Sequence, residues 1–342
     1  MSGIGEFELI DAIRARLRDA GAPERSAEVV LGSGDDAAIS ADAGTRVTSV
    51  DAAVEGVHFR IPPFDHRHAG GKALAAALSD IAAMGARATE AYVQLGVPED
   101  LRAEQCLELA SGIGEVAAEH GVAVPGGDLT RSPVLFLAVT AIGVADGEPV
   151  TRAGARPGDS VVVTGDLGGA AAGLLLLDRP DLGSELEAVV ADALRSRQLE
   201  PRPRLGAGVA LARSGATAMI DISDGLGADA GHVAAAGGVG LELELARLPL
   251  QPGVEDLARA AGVDPARWSV GGGEDYELLA TLPDERIDAA SRALAELDVS
   301  LTVVGAVVEG EGAVVSSSDG APVDQRGFDQ LRSPPTGPPG PA

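Results

Sequence analysis

The sequence predicts an α/β or α+β protein of two domains, and three observations support this. The chain has 342 residues, enough for two domains of ordinary size, each with its own core. Apolar runs of strand length alternate throughout with segments of helical period. The segment EPVTRAGARPGD, residues 148–159, is rich in turn formers and lacks periodicity. We therefore predict domains at residues 1–147 and 148–332.

Each half contains its own set of predicted elements. In the first half we expect strands at residues 45–50, 91–97 and 134–144, and helices at 71–85 and 102–120. In the second half we expect strands at 160–164, 216–222, 240–245, 277–282 and 299–308, and helices at 169–177, 186–197, 204–213 and 225–236. The tail SPPTGPPGPA, residues 333–342, cannot bury apolar surface, so we expect it to be disordered.

The composition excludes several classes of partner. Acidic residues outnumber basic ones by 52 to 26, and the formal net charge is −26. Such a surface repels nucleic acid and anionic membranes, so we expect neither as a partner. The longest apolar runs are too short to cross a bilayer, and the N-terminal segment lacks a signal-peptide core, so we expect a cytoplasmic protein. The single cysteine, Cys106, excludes an internal disulfide.

Carboxylates recur where a predicted strand or helix meets a turn. The positions are Asp35 and Asp36 in GSGDDAAI, Asp51 in SVDAAVEG, Asp80 in LSDIAAMG, Asp128 in PGGDLTRS, Asp221 and Asp224 in MIDISDGL, and Glu274 and Asp275 in GGGEDYELL. Because side chains alternate along a strand, Ser49 shares a face with Asp51, and Asp221 shares one with Ser223. The same alternation sends Asp35 and Asp36 to opposite faces, so only one of them can join a shared cluster.

These oxygen ligands indicate a particular class of metal. Asp and Ser oxygens without His or Cys suit Mg²⁺ or Mn²⁺ and are poor ligands for zinc. Each motif alone is more typical of a turn or a helix N-cap than of a metal site. Their number in both halves favours a site, although spacing alone does not establish that they converge.

Two further glycine-rich segments resemble nucleotide sites but lack the full motifs. VVVTGDLGGAAAGL has no complete G-x-G-x-x-G and reads better as a tight turn before a helix. GGKAL, around the only lysine of the chain, Lys72, has no P-loop glycine upstream and no Ser or Thr after the lysine. The protein-kinase HRD and DFG motifs are also missing from the sequence. A phosphate-transferring protein with this sequence would use neither common nucleotide fold.

Taken together, the motifs resemble those of thiamine-monophosphate kinases, members of the aminoimidazole ribonucleotide synthetase-like superfamily of ATP-using enzymes. The motifs that occur in the family's order, over about residues 5–328, are GSGDDAAI, SVDAAVEGVHF, KALAAALSDIAAMGA, PGGDLTRS, TRAGARPGD, VTGDLGGAAAGL, MIDISDGL and GGGEDYELL. LSDIAAMGA and IDISDGL are typical of the superfamily, whereas VEGVHF and GGGEDYELL point to the kinase.

The resemblance implies a fold and a reaction. The fold would be the two-domain aminoimidazole ribonucleotide synthetase-like one, with an N-terminal ATP- and metal-binding domain that also dimerises, and a C-terminal α/β domain. The enzyme would transfer the γ-phosphoryl group of ATP directly to thiamine monophosphate, with several Mg²⁺ ions between carboxylates and phosphates. It would be a homodimer and would complete thiamine diphosphate biosynthesis.

The resemblance also implies roles for individual residues. The metal ligands would be Asp36, Ser49, Val50 through its backbone, Asp51, Asp80, Asp128, Asp221 and Asp224. Of these, Asp36, Asp51, Asp80, Asp128 and Asp221 would be catalytic. ATP would contact Gly127, Asp128, Arg152 and Ser223. Thiamine monophosphate would contact His58, Glu274 and Phe328.

The sequence departs from the family pattern at two positions, and two alternative functions stay open. Val50 and Ala77 stand where the family often has threonine and asparagine. The first alternative is another enzyme of the superfamily; selenophosphate synthetase is disfavoured because it needs an N-terminal reactive Cys or selenocysteine, and Cys106 is in a helical pattern. The second alternative is a non-catalytic homologue that binds ATP or thiamine phosphates.

Overall fold

A computed structural model gives the structure of the chain at residues 6–23, 29–31, 39–40, 44–317, 320–323 and 327. Asp35, Asp36, Phe328 and the Pro/Gly tail lie outside these described residues. Helices and strands occur in both halves of the chain, as the sequence predicts. Among the described residues, no helix has the length and apolar character needed to cross a bilayer.

The helices of the described residues are numbered in chain order. They are α1 Glu6–Asp19, α2 His66–Ala83, α3 Ala103–His120, α4 Gly169–Asp178, α5 Ala188–Leu199, α6 Leu205–Ser214, α7 Leu226–Gly237, α8 Val254–Ala261, α9 Ala266–Ser269 and α10 Asp284–Ala295. The strands are β1 Val29–Leu31, β2 Ile39–Ser40, β3 Thr45–Val54, β4 Arg87–Val97, β5 Ala123–Arg131, β6 Phe136–Ala145, β7 Ser160–Thr164, β8 Ala218–Asp221, β9 Gly240–Glu244, β10 Leu278–Leu282, β11 Leu301–Val308 and β12 Gly312–Ser316.

The first half forms a four-stranded mixed sheet in the order β3-β6-β4-β5. The β3–β6 and β4–β6 pairs are antiparallel, and β4 pairs with β5 in parallel. Helix α2 contacts three of these strands and also packs against α3. Alternate residues of β6 are buried in the core that these helices share with the sheet, among them Leu137, Val139 and Ala141. One face of the sheet is therefore covered by helices.

The second half forms a six-stranded sheet in the order β12-β9-β11-β7-β10-β8. All its pairs are antiparallel except β12 with β9. Strands β7, β8 and β10 lie next to one another and are almost entirely buried, which explains their continuous apolar runs. Helix α7 packs on this sheet, and α10 packs on α6 and β11.

The two halves meet along α2. This helix contacts α6 and β8 of the second half while it covers the first sheet. Leu74, Leu78 and Ile81 of α2 share one core with Met219 and Leu278. Because α2 is buried on nearly all sides, its sequence is rich in alanine and its few polar side chains can reach into the interface between the halves. Such an interface is a common place for a ligand site.

Several elements differ from the sequence prediction. PGGDLTRS, predicted as a turn, belongs to β5 except for its last residue, Ser132, because its glycines allow close packing against β4. A Cβ at Gly127 would come within contact of the Val93 carbonyl oxygen, so only glycine permits this strand pairing. Helices α1, α8, α9 and α10 and strands β1, β2 and β12 were not predicted.

Candidate active site

A cleft of about 480 Å³ lies between the two halves of the chain. Seven of the residues singled out from the sequence line it: Asp51, His58, Asp80, Asp221, Ser223, Asp224 and Glu274. They come from β3, α2, the end of β8 and the loops that follow, so residues far apart in sequence converge on one cavity. Its volume falls in the range typical of ligand sites.

The aspartates are linked to serines on neighbouring elements. Ser79 donates a hydrogen bond from Oγ to Oδ2 of Asp221 at 2.7 Å, joining α2 to β8. Ser49 on β3 donates to Oδ2 of Asp80 on α2. Because Ser49 and Asp51 share a face of β3, both point to the side that α2 covers, as the alternation predicts. Secondary structure thus fixes the positions of these carboxylates.

The loops that carry Asp224 and Glu274 approach each other backbone to backbone. A Cβ at Gly273 would lie 2.5 Å from the Ser223 carbonyl oxygen, and one at Gly225 would lie 2.9 Å from a backbone carbon of the facing loop. The Glu274 N–H donates to that same Ser223 carbonyl at 2.8 Å. The glycines of SDG and GGGED therefore allow the close approach that brings the two loops to the cleft.

Burial and the charges of neighbouring carboxylates raise the pKa values of Asp51 and Asp221. Burial raises the pKa of Asp51, opposed by the Ala52 N–H, and the charges of Asp80 and Asp224 raise it further. Burial, with the charge of Asp80, raises the pKa of Asp221 to about 7, although Ser79 and Arg152 oppose this shift. The ionised cluster is therefore short of positive charge.

Asp224, Asp229 and His232 also place possible ligand atoms within 4.8 Å of one another. However, Oδ2 of Asp229 accepts the N–H groups of Ser223, Asp224 and Gly225 at 3.1, 3.2 and 3.0 Å. Asp229 thus braces the SDG loop at the start of α7.

His58 also lines the cleft and has a ring nitrogen with no partner among the described residues. Its Nδ1 accepts the Val54 N–H at 3.0 Å, which leaves the hydrogen of the neutral ring on Nε2. Nε2 is buried and has no hydrogen-bond partner among the described residues. A bound anionic group in the cleft could accept this hydrogen bond.

The structure adds cleft residues that the sequence reasoning did not assign. Arg60, Gln198 and Tyr276 line the cleft, and Lys72 lies behind it, 2.7 Å from Glu274. Tyr276 belongs to the quoted motif GGGEDYELL, and Lys72 was conspicuous as the only lysine, so both carried a signal. Gln198, on α5, carried none, because only the folded chain brings it to the cleft.

Gly127 and Asp128 lie elsewhere. They border a separate, mostly apolar cavity of about 130 Å³ under α1 and α3. In the sheet, Asp128 of β5 lies opposite Gln94 of β4, and Gln94 lies opposite Ala138 of β6. Ala138 in turn lies opposite Ala52 of β3, the residue after Asp51. Asp128 therefore points to the opposite face of the sheet from Asp51, three strand spacings away, or about 14 Å. Within one chain the structure does not bring Asp128 to the other aspartates.

Two other predicted residues lie at the margins of the site. Arg152 is exposed in a short 3-10 turn, Arg152–Gly154, close enough for its charge to oppose the raised pKa of Asp221. Val50 is 70% exposed, because its side chain points to the face of the sheet away from Asp51.

Known proteins are similar to this chain in both sequence and fold. Residues 34–145 match the family "AIR synthase related protein, N-terminal domain", and residues 156–317 match the corresponding C-terminal domain. The chain is 42% identical over 280 residues to the thiamine-monophosphate kinase of Mycobacterium tuberculosis, covering 81% of this chain and 80% of that protein. The chain belongs to the thiamine-monophosphate kinase family.

Solved structures support the same membership. The thiamine-monophosphate kinase of Stenotrophomonas maltophilia K279a is 36% identical, with a TM-score of 0.80 over 93% of this chain and 97% of that one. The complex described as "AaThiL complexed with AMPPCP and TMP" is 33% identical, with a TM-score of 0.74 over 94% and 96% of the two chains. The predicted resemblance to the kinase family and the predicted aminoimidazole ribonucleotide synthetase-like fold are both confirmed, and the family is one of phosphotransferases.

Proposed function

We propose that the protein transfers the γ-phosphoryl group of ATP to the phosphate of thiamine monophosphate, giving thiamine diphosphate and ADP. The observation that carries this proposal is the cleft in which Asp51, Asp80, Asp221 and Asp224 converge from both halves of a chain of this family. The relative complexed with AMPPCP and TMP supports the choice of an ATP-type donor and a thiamine phosphate acceptor.

The residues present fit Mg²⁺. The donors are carboxylate and hydroxyl oxygens, which Mg²⁺ prefers, and the raised pKa values of Asp51 and Asp221 indicate carboxylates that lack compensating positive charge. Asp51, Asp80, Asp221 and Asp224 would hold the ions, with Ser49 beside them. When bound, Mg²⁺ would neutralise the charge of the two phosphorylated substrates, which a cleft of carboxylates otherwise repels.

The reaction needs little proton transfer. An oxygen of the acceptor phosphate forms a bond to the γ-phosphorus, and the bond from the γ-phosphorus to the β,γ-bridging oxygen breaks, which leaves ADP. The second pKa of a phosphate monoester is about 6, so the attacking oxygen is mostly deprotonated at neutral pH. We assign to His58 Nε2–H a hydrogen bond to the acceptor phosphate, and to Arg152 and Ser223 contacts with the nucleotide phosphates.

The proposed roles of the remaining residues stay predictions. Asp36 would be a further metal ligand, and Phe328 would stack on the organic part of the acceptor; both lie outside the described residues. Gly127 and Asp128 would contact ATP, and Asp128 and the Val50 carbonyl would bind metal. Domain limits at residues 1–147 and 148–332 and a cytoplasmic location are likewise part of this proposal.

We also propose that the protein is a homodimer formed through its first domain. Helices pack on one face of the four-stranded sheet, whereas Thr48, Val50 and Ala52 of β3 are exposed on the other. A second copy could cover this face. Sedimentation analysis should give twice the chain mass for the wild type and a monomer for Val50→Arg; a monomeric wild type would contradict this part of the proposal.

The test of the function is a product assay. The protein is incubated with ATP, Mg²⁺ and either thiamine monophosphate or free thiamine, and the products are separated by chromatography. We expect thiamine diphosphate and ADP in equal amounts from the first acceptor, no product from free thiamine, and no turnover in excess EDTA. Equal rates with both acceptors would exclude the proposed substrate, and full activity in EDTA would exclude the metal.

A further inference from the structure

The only lysine of the chain is buried beside the cleft. The Lys72 side chain, on α2, is 4% exposed, and its Nζ lies 2.7 Å from Oε1 of Glu274 and 5.0 Å from the centre of the Phe64 ring. This distance is that of an ion pair, although Nζ has no well-aligned hydrogen-bond acceptor among the described residues. Burial lowers the pKa of Lys72, and the Glu274 charge opposes that shift. Glu274 is therefore the counter-charge of this ammonium group.

Glu274 is held from three directions. Lys72 holds Oε1 from α2, and Gln198 Nε2 donates to Oε2 from α5 at 2.7 Å. The Glu274 N–H donates to the Ser223 carbonyl oxygen at 2.8 Å, and its φ of 70° lies in the left-handed region that non-glycine residues seldom adopt. The side chain nevertheless stays 27% exposed and lines the cleft.

We propose that Lys72 is a positioning residue for the acceptor substrate: by its ion pair it fixes the Glu274 carboxylate at the wall of the cleft. This inference rests on the proposed function, in which Glu274 meets the cationic organic part of thiamine monophosphate. A free glutamate side chain on a cleft wall samples several rotamers, and ordering it at the moment of binding weakens affinity. With both carboxylate oxygens already held, that ordering is complete before the substrate arrives.

A purely structural role makes a different prediction. The pair joins α2 to the loop of the second half that carries Glu274, so it could simply tie the halves together. In that case, loss of Lys72 would lower stability and change the binding of ATP and of the acceptor to the same extent. A positioning role instead predicts an effect on the acceptor that depends on Glu274.

The kinetic test compares five variants with the wild type: Lys72→Met, Lys72→Arg, Glu274→Gln, the double variant of Lys72→Met with Glu274→Gln, and Arg67→Met. In Lys72→Met we expect the KM for thiamine monophosphate to rise tenfold or more, and the KM for ATP to stay within twofold. Lys72→Arg should recover part of the loss. Adding Lys72→Met to Glu274→Gln should raise the acceptor KM less than twofold further. Arg67→Met, on the same helix but in an exposed ion pair with Glu115, should leave both KM values unchanged.

The single lysine provides a second, activity-independent readout. Protein labelled with [¹³Cε]lysine should give one side-chain signal, which we expect to shift when thiamine monophosphate is added without ATP. In Glu274→Gln the free signal should differ from that of the wild type, and the acceptor should shift it less. The labelled wild type needs no lysine substitution, so the test stands even if Lys72→Met does not fold.

Failure of the proposed function and failure of the inference about Lys72 give different results. If the wild type does not phosphorylate thiamine monophosphate, the proposed function fails and this inference fails with it. If the wild type does so but Lys72→Met has an unchanged acceptor KM, or raises it equally in the Glu274→Gln background, this inference alone is overturned. A lysine signal that does not move at saturating thiamine monophosphate would overturn it as well.

Discussion

Two acidic clusters lie close together in this protein and differ in how their charge is balanced. In the cleft, Asp51, Asp80, Asp221 and Asp224 lie near one another, and the pKa values of Asp51 and Asp221 are raised. Beside α5, by contrast, Glu277 is completely buried among basic side chains. The first cluster lines the cleft and is short of positive charge, whereas the second is one buried carboxylate that two arginines neutralise.

The contacts of Glu277 show what a structural carboxylate looks like. Arg204 donates to both of its oxygens, from Nε at 2.7 Å and from Nη2 at 2.5 Å. Arg197 donates to Oε1, and Thr164 donates from Oγ1 to Oε2 at 2.7 Å. Every lone-pair direction of this carboxylate is used within the protein, so it has little capacity left for a ligand.

One short motif supplies both kinds of carboxylate. In GGGEDYELL, Glu274 lines the cleft, Asp275 accepts the Gly168 and Ala170 N–H groups at the start of α4, and Glu277 binds the two arginines. Three acids within four residues thus have three different environments. A carboxylate-rich motif therefore does not identify a site, because each carboxylate in it has its own environment in the folded chain.

The largest effect we expect is on stability, at the neutralised cluster. Glu277→Gln leaves Arg197 and Arg204 largely buried without their counter-charge, which should lower the free energy of unfolding by about 3–5 kcal/mol. Chemical denaturation measures this loss. The matched control Asp181→Asn breaks an exposed pair with Arg179 and should not change stability measurably. Equal stability of Glu277→Gln and the control would show that the two clusters do not differ as described.

The next effect is on activity, at the cleft. Asp221→Asn removes a carboxylate that we propose to be a metal ligand, and should lower kcat/KM at least a hundredfold, equivalent to about 3 kcal/mol of transition-state stabilisation. Its fold should be at least as stable as the wild type in metal-free buffer, because one member of a repelling cluster is neutralised. Steady-state kinetics at 25 °C compares it with Glu277→Gln, which should stay active where folded. An active Asp221→Asn would remove this residue from the site.

A smaller effect concerns pH. The folded-state pKa of Asp221, about 7, exceeds the ordinary value of 3.8, so the folded state binds this proton more tightly than the unfolded chain does. The stability that this tighter proton binding gives to the folded state is fully present below about pH 4 and is lost as the pH rises through 7. In metal-free buffer, the Tm of Asp221→Asn minus that of the wild type should therefore increase from pH 5 to pH 8. A constant difference over this range would contradict the raised pKa.

The smallest effect concerns the serine that holds Asp221. Ser79→Ala removes one hydrogen bond to a buried carboxylate and should cost about 1 kcal/mol, seen as roughly a fivefold loss in kcat/KM or an equivalent loss of stability. The control is Ser160→Ala, which removes a hydrogen bond to the exposed Asp284 and should be neutral. Equal behaviour of the two variants would mean that Ser79 has no special role in positioning Asp221.

Much of the fold could be predicted from the sequence, because most elements show a clear period. Strand β7 and helix α4 lie within a residue of their predicted limits. Strand β5 could not be found, because PGGDLTRS has the composition of a turn, and its strand conformation depends on pairing with β4. Strand β12 is short and forms only beside β9, so its signal is likewise non-local.

The candidate site could be predicted only in part. The convergence of Asp51, Asp80, Asp221 and Asp224 followed from motif order and the family resemblance. The separation of Asp128 did not, because it depends on the register across three strand pairs. The pairing of Lys72 with Glu274 joins residues about 200 positions apart, and no local pattern encodes such a contact.

The central claim, that the cleft cluster needs cations and the Glu277 cluster does not, has one direct test. Thermal unfolding is measured for the wild type, Asp221→Asn and Glu277→Gln, each with and without Mg²⁺ and a non-hydrolysable ATP analogue. We predict that the additions raise the Tm of the wild type and that Asp221→Asn loses most of this increase. Glu277→Gln should start from a lower Tm but show the same increase as the wild type. An increase that persists in Asp221→Asn and disappears in Glu277→Gln would contradict the account.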